Sequence, residues 1–161
     1  MPLRSAIRRV GIAAVALSIA LLAGCGGSDD DDETPAACLA TSQGYLRALE
    51  TAPAPVRLAG STPISDCLVP AQEAGQLASV GQEMIVAATR LNAEARRDPG
   101  GHATVELGYL IAAASKGADA IHTDLVRRLN SAAQFSKTGT ALPASFQRAF
   151  GRGYAAGRST G

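Results

Sequence analysis

At 161 residues, with a formal net charge of +1, the chain has room for one compact domain and lacks the basic excess of a nucleic-acid binder. Only 4% of its residues are aromatic and none is tryptophan, while alanine and glycine dominate. Such a composition suits close-packed helices and argues against a β-sandwich, which draws on valine, isoleucine and aromatic side chains.

The chain opens with a short basic segment carrying Arg4, Arg8 and Arg9, followed by an apolar run over residues 10–22. A spanning helix needs about 20 apolar residues, so this run is too short to cross a bilayer comfortably. It reads as a cleaved leader covering residues 1–24, excluded from the fold. The Arg8-Arg9 pair lacks the surrounding pattern of a folded-export signal, which points to ordinary secretion. The leader closes on Leu22-Ala23-Gly24-Cys25, and this stretch resembles the lipobox of bacterial lipoproteins. The resemblance implies that Cys25 is lipidated, becomes the mature N-terminus and attaches the protein to a membrane. It also implies outer-membrane delivery, on the periplasmic side, in a diderm organism, because Gly26 and not aspartate follows the cysteine. Otherwise the expected location is the outer face of the cell membrane.

Residues 25–35 form an expected tether. Asp29, Asp30, Asp31, Asp32 and Glu33 are consecutive acids, and the stretch has almost no apolar surface to offset the entropy of ordering it. It should be disordered, extended by its own charge to a reach of up to ~30 Å, and repelled by an anionic bilayer. Loss of the leader takes three arginines and leaves a formal charge of −2, yet everything from Thr34 onward carries +3.

With Cys25 taken by lipid, Cys38 and Cys67 remain as an even pair in an oxidising compartment, and a disulfide between them is expected, free buried thiols being the alternative. The bridge would shorten the Pro- and Gly-punctuated loop of residues 52–66, which is long for a compact domain.

Residues 36–161 should form an all-α, antiparallel helical bundle with two long helices and shorter N- and C-terminal ones. A first short helix is expected over 36–50, with Leu39, Leu46 and Leu49 at helical spacing and Pro53 and Pro55 stopping it. The second runs over 69–97, with Pro70 in its first turn, Asp66 as a possible cap, and Leu77, Val80, Met84, Ala87, Leu91 and Ala95 as its buried stripe. The third is expected to be continuous over 102–133, with Leu107, Ile111, Ala114, Ala118, Ile121 and Leu125 along one line. Beside that stripe runs a row of Gly108, Ala112, Ser115, Asp119 and His122, whose small members would let another helix approach closely. Pro143 opens the fourth helix, with Phe146, Phe150 and Tyr154 on one face. Gly151, Gly153 and Gly157 are expected to weaken its later part and let the tail fray.

Two groups of residues are candidate ligand or partner faces. Asp119 and His122 are three apart on a helix, so the carboxylate could orient the imidazole at a helix seam. Phe146, Phe150 and Tyr154 could wall an apolar pocket or a partner groove, or simply fill the core. Arg148 and Arg152, four apart, could meet lipid phosphate or an acidic partner. No catalytic signature is present: there is no Gly-x-Ser-x-Gly elbow, and Lys137-Thr138-Gly139 lacks the companions that would give it meaning. The expectation is therefore no enzyme, no cofactor and no metal, since His102 and Glu106 lie too far along one helix to join His122 in a site. Three functions are carried forward. They are a structural or protein-interaction module binding an envelope protein, a carrier holding an apolar small molecule between helices, and, last, an enzyme or metal protein centred on Asp119 and His122.

Overall fold

The computed structural model describes residues 33–136 and 141–161, and among them the secondary structure is helical, without named strands. Five α-helices are present: α1 (Ser42–Leu49), α2 (Ala74–Ala95), α3 (His102–Gly117), α4 (Thr123–Ala132) and α5 (Ala144–Thr160). Short 3₁₀ turns lie at Ala36–Leu39, Ile64–Cys67 and Ala120–His122. The all-α expectation holds. Cys25 and the greater part of the tether lie outside the described residues, as do Lys137, Thr138 and Gly139.

Helix α3 is the axis of the domain. Every residue from Thr104 to Ala114 is buried, because α2, α5, α1 and the Ile64–Cys67 turn all pack on it. A helix covered on all sides needs no polar face, and only Thr104 and Glu106 interrupt its apolar and small side chains along that stretch. Helix α2 presents Val80, Met84, Ala87, Leu91 and Ala95 to the core as its stripe requires, with Leu77 only partly buried.

Three expected boundaries are corrected. The first helix is a 3₁₀ turn and a separate α1, the chain turning extended at Ala40 and Thr41, and Leu39 is left exposed. The second begins at Ala74, not near 69. Glu73, not Asp66, is its cap, its carboxylate accepting the N–H groups of Gly75 and Gln76, so Pro70 lies outside the helix. Residues 69–73 stay out of the helix while Gln72 turns inward to bond Thr34 and Cys67. The third is not continuous, since the chain leaves the helix at Ala118 and restarts through Asp119 and the 3₁₀ turn into α4. The cause is tertiary: Gly117 sits so close to the Ser65 carbonyl that a Cβ there would lie 2.0 Å from its oxygen. After the break Ile121 no longer belongs to the buried stripe and is 47% exposed.

Helix α5 does not fray; it runs to Thr160 against α3 in the most extensive helix contact of the domain. The pairing ascends along both helices: Gly100 meets Ser145, Gly153 meets Val105 and Tyr109, Gly157 meets Tyr109 and Ala112, and Gly161 meets Ala113. The two helices therefore lie parallel, while the short α2–α3 connection makes those two an antiparallel pair. Glycine permits the close approach, because a Cβ at Gly153 would lie 1.8 Å from the Val105 oxygen and one at Gly108 2.3 Å from that of Phe150. The far end of α5 is also tied to the long loop. Tyr109 Oη accepts the Val56 N–H at 3.0 Å and lies 2.9 Å from Thr160 Oγ1, and Arg57 donates to the Thr160 carbonyl at 2.8 Å.

Cys38 and Cys67 form the expected disulfide, both fully buried, with Tyr45 donating to the Cys38 carbonyl at 2.7 Å. The bridge fastens the start of the domain to the turn on which Gly117 rests.

Candidate functional site

The first candidate pair, Asp119 and His122, is brought together as its spacing implies, but as part of the fold's skeleton. Asp119 caps the turn into α4, its carboxylate accepting the Ile121 N–H at 3.1 Å, while His122 Nδ1 reaches back to the Asp119 N–H at 3.1 Å. His122 is wholly buried, with Nε2 3.2 Å from Gln72 Oε1. Gln72 donates through Nε2 to Thr34 Oγ1 at 2.8 Å and to the Cys67 carbonyl at 2.9 Å. That orientation leaves Gln72 Oε1 as an acceptor, so His122 Nε2 carries a proton and donates. Nδ1, which takes the Asp119 N–H, also lies 2.8 Å from Asp119 Oδ1. The relay Asp119–His122–Gln72 thus joins the α3–α4 elbow to the disulfide turn and to Thr34, one residue after the acidic stretch.

His102 and Glu106 are elsewhere and pair with each other at 3.2 Å, His102 also lying 3.1 Å from the Glu50 carbonyl. Among the described residues no group of three or more His, Cys, Asp or Glu is placed to hold a metal ion. Burial raises the Glu106 carboxyl pKa, His102 pulls it back down, and the nearby Glu94 and Glu50 carboxylates push it further up. A raised acid in the folded state binds its proton more tightly than in the unfolded chain. Its neutral form therefore favours folding below the unfolded value of 4.5, and that advantage is lost as pH rises through the raised value. Relative to Glu106→Gln, the wild type should lose melting temperature progressively as pH increases above about 4.5, in thermal melts followed by circular dichroism across pH 4 to 8. Parallel curves for the two proteins would show that Glu106 is not held in this way.

The second candidate face is an aromatic ladder. Phe135 packs on Phe146 with ring centroids 4.5 Å apart and planes tilted by 52°, Phe146 stacks on Phe150 at 5.6 Å, and Phe150 on Tyr154 at 6.0 Å. All three phenylalanines of the chain are in this row. Phe146 is buried, Phe135 and Phe150 are half-buried, and Tyr154 at the far end is 38% exposed. Leu142, 40% exposed, continues the row one turn before Phe146. Beside the ridge lie Gln147, Gly151 and Ala155, and together these residues line an open groove whose wall is almost entirely apolar. A Cβ at Gly151 would meet nothing within 4 Å, so the groove has a floor of small residues. Sequence reasoning singled out three rungs and missed Phe135 and Leu142. Leu142 extends the four-residue spacing of the stripe, which was a readable signal; Phe135 comes from α4's end and follows no period.

A ligand between α3 and α5 has no room, since their backbones touch through Gly108, Gly153 and Gly157. Arg148 and Arg152 are solvent-exposed and, with Gly100 and Ser145, line a separate shallow groove where α3 and α5 begin. Among the described residues no helix is long and apolar enough to cross a membrane. No protein-family model, no curated protein and no solved structure matches this chain.

Proposed function

We propose that the protein is an envelope lipoprotein in which lipid on Cys25 and an acidic tether hold a disulfide-closed helical domain at the membrane as a protein-interaction module. The address rests on the Leu22-Ala23-Gly24-Cys25 stretch and the acids that follow it. A buried Cys38–Cys67 disulfide agrees with an exported domain, since such bridges persist in oxidising compartments. The observation that carries the module reading is the aromatic ladder, which runs from the buried Phe146 through the half-buried Phe150 to the exposed Tyr154, with the exposed Leu142 at its other end.

Cys25→Ala should leave unprocessed precursor without lipid, measured by intact mass and by incorporation of a labelled fatty acid in the native host. A variant that still carries lipid would remove the anchor from this reading. Site-directed crosslinking in intact cells tests the module itself.

The alternative is a carrier for an apolar small molecule. It is favoured by the groove along Leu142, Phe146, Phe150 and Tyr154, about 460 Å³ in volume and within the usual range of small-molecule sites. Native mass spectrometry of the protein purified from its host decides between them: a reproducible excess mass on the monomer supports the carrier, and bare mass supports the module.

A further inference from the structure

The groove on α5 has a polarity that says what would sit in it. From Ala144 to Thr160 the helix carries Arg148, Arg152 and Arg158 and no acidic residue. At 100° per residue, the order around α5 runs from the buried glycine face to the aromatic ridge, then to the Gln147–Gly151–Ala155 furrow, and then to Arg148 and Arg152. Arg158 falls at the angle of the furrow itself, beyond Ala155 toward the helix end. An apolar trough is therefore edged by cations. A ridge of large side chains beside a furrow of small ones is also the relief into which a second helix packs.

We infer that this face of α5 docks an amphipathic helix of a protein partner, one whose apolar stripe fills the Leu142–Phe150–Tyr154 trough and whose acidic edge meets Arg148 and Arg152. The inference rests on the module reading and names the partner's chemistry.

Two other occupants fit less well. A second copy of the chain, placed α5 against α5, would bring one cationic edge against another with no acid on either helix to answer it. A bilayer is disfavoured by charge: the stretch that leads into Thr34 carries five consecutive acids, which an anionic lipid surface repels.

The test uses the protein as its host produces it. Two designed amphipathic peptides of about 20 residues serve as probes, alike in a leucine stripe and differing only in glutamate or lysine along one edge. Fluorescence anisotropy should show the glutamate peptide binding about tenfold more tightly. Arg148→Glu with Arg152→Glu should invert that preference, and Tyr154→Ser should weaken both peptides. All three side chains are exposed, so the variants should fold, and the two-peptide contrast on the wild type stands even if they do not. No binding, equal binding of both peptides, or a homodimer in sedimentation that buries Tyr154 would overturn the inference. So would capture by anionic phospholipid vesicles in place of peptide selectivity.

In intact cells a photoreactive residue is placed in turn at Tyr154, Leu39 and Ile121, the last two being exposed apolar side chains away from the trough. Protein adducts from position 154 alone are expected. Adducts from 39 or 121 alone would keep the module and sink the α5 site; no protein adduct from any position would sink both.

Discussion

Replacing Gly153 by alanine should lower the melting temperature by roughly 8 °C or more, while the same change at Gly151 should raise it by a few degrees. The two sites are on one helix, two residues apart, and share the same gain: alanine is better than glycine in a helix interior by about 1 kcal/mol. At Gly151 nothing opposes that gain, because the new methyl group meets open space. At Gly153 the methyl group would stand 1.8 Å from the Val105 oxygen and 3.0 Å from the Tyr109 nitrogen. Those are backbone atoms of the central helix, so no rotamer change relieves the contact and α5 must move off α3. Overpacking of this kind costs about 3 kcal/mol or more, which exceeds the propensity gain severalfold. Thermal melts of the two variants beside the wild type check both signs. Equal shifts in one direction would mean that α5 does not lie against α3 as described.

Reducing the Cys38–Cys67 disulfide, or replacing both cysteines by alanine, should remove about 3–4 kcal/mol of stability. That is the loop-closure value for a bridge spanning 29 residues of separation. The loop it closes holds only the short α1 and otherwise runs without long regular elements, so loop closure is a large part of what keeps it in place. The loss should also spread beyond the loop, because the Ile64–Cys67 turn supports Gly117 and Gly161 and the Cys67 carbonyl holds Gln72. Both sulfurs are fully buried, so reductant should act on the native protein only as fast as the fold opens locally. Denaturation with and without reductant measures the first effect, and the rate of thiol appearance measures the second. An unchanged transition after complete reduction would refute the constraint.

Thr34 is buried and held by Gln72, so the relay from Asp119 through His122 to Gln72 secures the first described residues of the domain to its disulfide turn.

The helical class, the buried stripe of α2 and the aromatic row on the last helix were legible in the sequence as local or compositional signals: scarce aromatics, a period of 3.6, a four-residue spacing. The Cys38–Cys67 bridge was expected only by setting Cys25 aside among three cysteines. The sequence also placed Asp119 and His122 within reach of one another. What it could not contain was the meaning of that reach, because the apolar period continues through Ala118 and Ile121 as though the helix did. Only the Ser65 carbonyl beneath Gly117 and the Gln72 amide waiting for His122 break it there, and both come from more than 40 residues away in the chain. The glycines of α5 were decided in the same way. Read locally they cost helix propensity and predict a frayed end. Packed against Val105, Tyr109 and Ala112 they become the surface that lets two parallel helices touch, since the value of a missing side chain depends on what stands where it would have been.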